Sequence, residues 1–204
     1  MRDLSLNIQT FSLLREQKCI YVDKTGLLLP LISKVGKYFL SRPRRYGKSL
    51  LISLLEELFS GNKDLFEGLE IAKMGYSFPK HPVIRIDFSA IGHSSAENLK
   101  NKLLERIQEI GLERGLDLSS HDSIEGATRA LIRGMSKRGS VVLLIDEYDC
   151  PILDWIENPE VATALQRVLK SFYATVKSEE SHFRFIFVTG ITKIAKTSLF
   201  SVMA

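Results

Sequence analysis

Two stretches of this chain are apolar almost without interruption, SVVLLI at 140–145 and FRFIFV at 183–188. A half-buried strand alternates apolar and polar residues, so near-continuous apolar runs of this length imply strands covered on both faces. That constrains the chain to a layered fold with a mainly parallel central sheet. Four strand signals are present: Lys37–Ser41, Pro82–Phe88, Ser140–Ile145 and His182–Thr189. Helix patterns separate them. Leu51, Leu54, Leu55 and Leu58 form one apolar stripe, and Leu99, Leu103, Ile107 and Ile110 form a second. A third helix is predicted to open with Asn158 as cap and Pro159 in its first position, with Val161, Leu165, Val168, Phe172 and Val176 along one face. An earlier helix is expected over 24–33 with Asp23 as cap, and Gly61, Gly111 and Gly139 are read as helix ends. Strands alternating with helices define an α/β fold. With 204 residues, 45% of them hydrophobic and 25% charged, one domain with one substantial core is expected.

Ligands in such sheets bind beyond the carboxyl ends of the strands, so those positions carry the search for chemistry. After the first strand comes RPRRYGKS, with the helix pattern opening at once. Gly47, Lys48 and Ser49 have the order of a phosphate-binding loop, in which backbone amides and the helix N-terminus surround phosphate, a lysine reaches it and a hydroxyl ligates Mg²⁺. The full pattern places a first glycine five residues before Gly47, where this chain has Arg42; a basic turn that caps a helix is the alternative. The third strand runs into Asp146 and Glu147, the form of a Walker B segment. One carboxylate there holds Mg²⁺ and a second orients and deprotonates water. Both motifs together, in an alternating α/β pattern, define a three-layer P-loop NTPase fold, whose sheet is expected to be incomplete at the C-terminus.

The site expected from these residues is specific. Phosphate contacts fall to Arg44, Arg45, Tyr46, Gly47, Lys48, Ser49 and Leu50; Mg²⁺ falls to Ser49 and Asp146; catalysis falls to Glu147 and Lys48. Thr189, at the end of the fourth strand, is the candidate sensor of the γ-phosphate or attacking water, with Thr192 second, although threonine also favours strands on its own account. Arg44 and Arg45 suit phosphate oxygens, a nucleic-acid backbone or plain solvent exposure. Asp87 is read as structural. The cofactors are ATP and Mg²⁺.

Other chemistry finds little support. Cys19 and Cys150 are read as free thiols, and His81, His93, His121 and His182 have no metal-ligand spacing with each other or with the cysteines, so no structural zinc site is expected. The net charge of +4 is too small to diagnose a nucleic-acid partner. No apolar run reaches the roughly 20 residues of a membrane span, and a cytoplasmic address is the default expectation.

The blocks YVDKT (21–25), FLSRPRRYGKSLLIS, LFEGLEIA (65–72), VIRIDFS, LLIDEYDCPI and VTGITKIAKTSLFS, in this order, resemble the AAA-ATPase-like family of bacterial and archaeal proteins. The resemblance covers nearly the whole chain, 1–204, with 1–36 as an N-terminal segment carrying the YVDKT motif. It implies a P-loop ATPase domain in which the first glycine is commonly replaced, as at Arg42, and a place for Asp23 and Lys24 near the nucleotide or in a helix cap. Relatives commonly continue into a domain resembling PD-(D/E)XK nucleases, so a final strand and a second domain are expected to be missing here. The function expected is Mg²⁺-dependent ATP binding and hydrolysis; a nucleotide-dependent switch with little turnover is the alternative, and a small-molecule kinase is weaker. Nucleic acid and a second copy of the chain are further partner expectations.

Overall fold

The computed structural model describes residues 8–192. In chain order the elements are α1 (Phe11–Glu16), α2 (Leu29–Ile32), β1 (Gly36–Ser41), α3 (Lys48–Phe59), α4 (Glu70–Lys73), β2 (Val83–Asp87), α5 (Ala96–Glu113), α6 (Ile124–Ser136), β3 (Val141–Asp146), α7 (Cys150–Leu153), α8 (Pro159–Ser178) and β4 (Phe183–Gly190). The four strands form one parallel sheet in the order β1-β4-β3-β2. The two strands with the most continuous apolar runs, β3 and β4, are the central pair, and every residue of β3 is buried.

Alternate residues of these strands enter opposite cores. Ile84, Ile86, Leu143, Ile145, Ile186 and Val188 pack under α5, α6 and α8. Val83, Val142, Leu144, Phe185 and Phe187 pack on the other side with Ile52, Leu55 and Phe59 of α3 and Phe11 of α1. The result is the three-layer α/β arrangement expected. Between Val141 and Val142 the pairing with β4 jumps from Phe183 to Phe185, leaving Arg184 as an extra residue. This bulge puts Phe183 and Ile186 in the same core, and the freed guanidinium reaches the carbonyls of Ile32 (3.1 Å) and Ser33 (3.2 Å) at the end of α2.

The strand bounds fall within one residue of those expected, so Asp146 closes β3 rather than following it. Three long helices are capped by side chains: Ser95 accepts from Asn98 N–H, Ser123 from Gly126 N–H and Asn158 from Val161 N–H. Pro159 opens α8 as expected.

Three readings need correction. Residues 24–33 form a 3₁₀ turn (Thr25–Leu28) running into the single turn of α2, because Pro30 and Leu29 enter before a regular helix is established. Gly111 lies inside α5, where a Cβ would strike the Leu118 side chain; the helix end is marked instead by Gly115, with φ +71°. The helices α1 and α6 were not in the expected set, although Ile124, Ala127, Leu131, Ile132 and Met135 are buried at helical spacing. Asp23 acts as a cap on two elements: its carboxylate accepts the Thr25 N–H (2.9 Å) and hydroxyl (2.7 Å) and the Glu70 N–H (2.7 Å) at the start of α4. Among the described residues no helix is long and apolar enough to cross a membrane.

Candidate functional site

The register of the sheet lines up the carboxyl ends. Asp87 pairs with Asp146, Leu40 with Thr189 and Ser41 with Gly190. The loop 42–47 leaves β1 at this edge and is exposed throughout, whereas Lys48, first residue of α3, is 4% exposed. Its ammonium turns back over the loop to donate to the Pro43 carbonyl at 3.1 Å. Gly47 caps α3 in the left-handed region (φ +75°), with no side-chain hydrogen bond and no acidic residue in the first turn. The opening amides of α3, from Lys48 to Leu50, are therefore uncapped by any side chain, in contrast to α5, α6 and α8. Uncapped amides, a positive helix end and a lysine folded over the same loop make a seat for an anion.

Arg42 resolves the question of the missing glycine. Its φ is not positive, and its N–H donates to the Gly190 carbonyl at 3.1 Å, continuing the β1–β4 ladder by one residue. Position 42 thus makes no demand that only glycine meets. The left-handed residue in the loop besides Gly47 is Arg45, with φ +69°. A side chain in that region costs about 1–2 kcal/mol, and in this chain the strain sits at 45 rather than at 42.

Asp146 is 1% exposed, and Oδ1 accepts from the Thr189 hydroxyl and from the Glu147 N–H at 3.1 Å. Its other oxygen, Oδ2, is buried without a hydrogen-bond partner among the described residues. A buried carboxylate oxygen left unsatisfied is expensive, and a cation is the partner that removes the cost. Glu147 follows with φ +48°, a strained backbone for glutamate, and is half-buried. Two of the four non-glycine residues with positive φ, Arg45 and Glu147, therefore belong to this one edge of the sheet.

A family profile described as "Predicted AAA-ATPase" matches residues 5–200. The chain belongs to the AAA-ATPase-like family. It is also 39% identical over 203 residues to an "Uncharacterized protein in vnfD 5'region" of Azotobacter chroococcum mcd 1, a match covering 98% of this chain and 39% of that protein. The chain thus spans about two fifths of its relative's length. No solved structure matches it. AAA-ATPase-like membership supports nucleotide binding in general.

In this AAA-ATPase-like chain the electrostatics join the parts. Burial first, then the neighbouring Asp146 carboxylate, push the Glu147 carboxyl above its usual range; Lys48 pulls it down, Asp87 raises it and Arg44 lowers it. Residues from β1's loop, β2 and β3 therefore sense one another across the edge. Asp87 also caps its own turn, accepting the Ser89 N–H at 2.9 Å and hydroxyl at 2.7 Å, as its structural reading requires. A cleft of about 640 Å³ beside β2 shares Asp87 with this edge but is lined by none of Lys48, Asp146 or Glu147.

Sequence reasoning gave no role to Asp149, which the AAA-ATPase-like fold uses heavily. It is 1% exposed and accepts the N–H of Ile191 at 2.9 Å, the N–H of Thr192 at 2.7 Å and the Thr192 hydroxyl at 2.9 Å. Tyr148 reinforces the join, donating its N–H to the Thr189 carbonyl (3.0 Å) and its hydroxyl to the Thr192 carbonyl (3.0 Å). Gly190 admits this packing because a Cβ there would meet the Tyr148 ring and the Asp149 carboxylate. The turn that presents Asp146 and Glu147 is thus clamped to the chain leaving β4. Asp149→Ala should destabilise the protein by about 2–4 kcal/mol in urea unfolding, since three donors lose a charged acceptor. A loss under about 0.5 kcal/mol, the level of an ordinary surface substitution, would show that the turn is held by other contacts.

Proposed function

We propose that this chain binds ATP with Mg²⁺ and hydrolyses the bond between the β- and γ-phosphates. The observation that carries the reading is the meeting, at one sheet edge, of an uncapped helix start bearing a buried lysine with a buried carboxylate whose Oδ2 lacks a partner. Family membership supports the nucleotide part in general terms. Backbone amides from Arg44 to Leu50, including Tyr46 and Gly47, would hold the phosphates, and Lys48 would exchange its Pro43 contact for phosphate oxygens. Ser49 and Asp146 would hold Mg²⁺, the ion serving to neutralise charge on the phosphate oxygens. Glu147 would accept the proton of the attacking water as its oxygen bonds to the γ-phosphorus and the bridging bond breaks, leaving ADP and phosphate. A carboxyl raised by its surroundings is a better proton acceptor than an ordinary one.

Thr189 enters this scheme differently from the sensor expected. Its hydroxyl proton is given to Asp146, so we assign it as a positioning residue that orients the carboxylate and leaves Oδ2 for the cation. Thr192 donates to Asp149 and serves the clamp.

The test is equilibrium binding of ATP with Mg²⁺ to the purified chain, read as a rise in melting temperature, together with release of free phosphate. A ligand at 100 times its dissociation constant should add about 2.7 kcal/mol of stability. Binding with no phosphate release would leave the switch reading in its place, and a phosphorylated acceptor would indicate a kinase. No binding at millimolar ATP would remove the proposal.

A further inference from the structure

Beyond the sheet edge, the fold gathers three side chains that the spacing of the sequence kept apart. His93 lies in the loop between β2 and α5, Cys150 opens α7 and Asp154 follows its end. Their ligand atoms all lie within 4.8 Å of one another: His93 Nε2 is 2.9 Å from Asp154 Oδ2, and Cys150 Sγ is 3.6 Å from the same oxygen. The expectation that histidines and cysteines would not associate is therefore overturned for this pair. Residues 93 and 150 are remote in sequence, and only the parallel register of β2 and β3 brings the segments that follow them together.

The hydrogen bonds of His93 point to a cation. Nδ1 sits 2.7 Å from the Ile91 carbonyl, which can only accept, so Nδ1 carries a proton. Nε2 then faces a carboxylate oxygen, another acceptor. That contact requires either a second proton on the ring or a cation shared by the Nε2 lone pair and Asp154. A ligating histidine anchored through its other nitrogen to a backbone carbonyl is the usual arrangement around zinc. The His93 backbone is fixed too, because its carbonyl accepts from Trp155 Nε1 at 2.9 Å. The ring is 14% exposed and the Asp154 side chain 46% exposed, so the group opens to water on one side.

We propose that His93, Cys150 and Asp154 form a binding site for a divalent transition-metal ion of the zinc class, with water as the fourth ligand. The mixed nitrogen, sulfur and oxygen donors suit such an ion and not Mg²⁺, which takes oxygen ligands in an octahedron. Bond lengths of about 2.0–2.3 Å around tetrahedral zinc separate N and O ligands by about 3.3 Å and S and O ligands by about 3.5 Å. The observed 2.9 and 3.6 Å lie close to these, and the remaining His–Cys edge needs closing by no more than about 1 Å, within reach of a side-chain rotation. Burial first, then the Asp154 carboxylate, push the Cys150 thiol up to about 12, so it is protonated in the metal-free chain. Metal binding forms an S–metal bond and passes the thiol proton to water. The occupied site would join the loop after β2 to the helix that follows the Glu147 turn, independently of whether nucleotide binds.

The test is a Co²⁺ titration of the purified, metal-stripped full chain, without nucleotide, followed by absorption. One equivalent of Co²⁺ should produce a thiolate-to-cobalt charge-transfer band with the visible bands of a four-coordinate ion, and Zn²⁺ should displace it. Cys150→Ser should abolish the charge-transfer band while Cys19→Ser, at the other thiol, retains it. His93→Gln, and Asp154→Asn on the exposed side where the fold is least disturbed, should each weaken binding on the order of tenfold or more. Far-ultraviolet circular dichroism checks that each variant is folded. Absence of the band in the wild-type chain, its persistence in Cys150→Ser, or unchanged affinity in folded Asp154→Asn would overturn the proposal and leave His93–Asp154 as an ion pair only.

Discussion

Glu147→Gln should lower phosphate release about 10²–10⁴-fold while ATP and Mg²⁺ binding stays within about threefold of wild type. The amide keeps the size of the carboxyl and the backbone of the turn, so the positive φ at 147 and the Tyr148 contacts to β4 are undisturbed. What it loses is the basic oxygen. It also loses a negative charge beside Asp146, which relieves repulsion and favours binding of an anionic nucleotide. The two readouts should therefore separate: steady-state turnover falls and the nucleotide-induced rise in melting temperature remains. Unchanged turnover in a contaminant-free preparation would remove Glu147 from the reaction and leave only its electrostatic influence.

Lys48→Ala should act earlier, weakening ATP binding by roughly 100-fold, or about 3 kcal/mol, because a charge-assisted contact to phosphate is lost from a buried position. The substitution also removes the bond to the Pro43 carbonyl that folds the lysine over the loop. Lys48→Met separates the two effects by keeping the stem volume without the charge. If Lys48→Met binds as weakly as Lys48→Ala, the ammonium carries the affinity. If it binds like wild type, the lysine shapes the loop and the phosphate contact assigned to it is wrong.

The layered fold was legible because the strands that end up central, β3 and β4, have no polar face to give to solvent. The loop and the Asp146-Glu147 pair were legible because each occupies a short contiguous stretch. Three features were not. The strain at Arg45 is a backbone property that no residue type announces, since arginine is rare in the left-handed region. The Asp149 clamp and the His93–Cys150–Asp154 group each depend on a partner from a distant segment, and a single sequence carries no sign of which segments the sheet will place side by side. Gly111 shows the converse error, a glycine chosen for close packing on Leu118 and read as a helix terminator.

The order of the sheet has a bearing on how the protein comes to be made. Among the described residues β1 pairs only with β4, and the contact that closes this edge, Ser41 hydroxyl to Ile191 carbonyl, spans 150 positions of sequence. During synthesis the strand that leads into the phosphate loop leaves the ribosome early and waits, its backbone unpaired, until nearly all of the remaining described chain has followed. The helical layers between β2 and β4 can collapse in the meantime from nearer neighbours, whereas the nucleotide edge assembles late and at a high entropic cost of closure. A nascent chain halted before β4 would therefore hold much of a core and no ATP site, which makes nucleotide binding a reporter of completed folding.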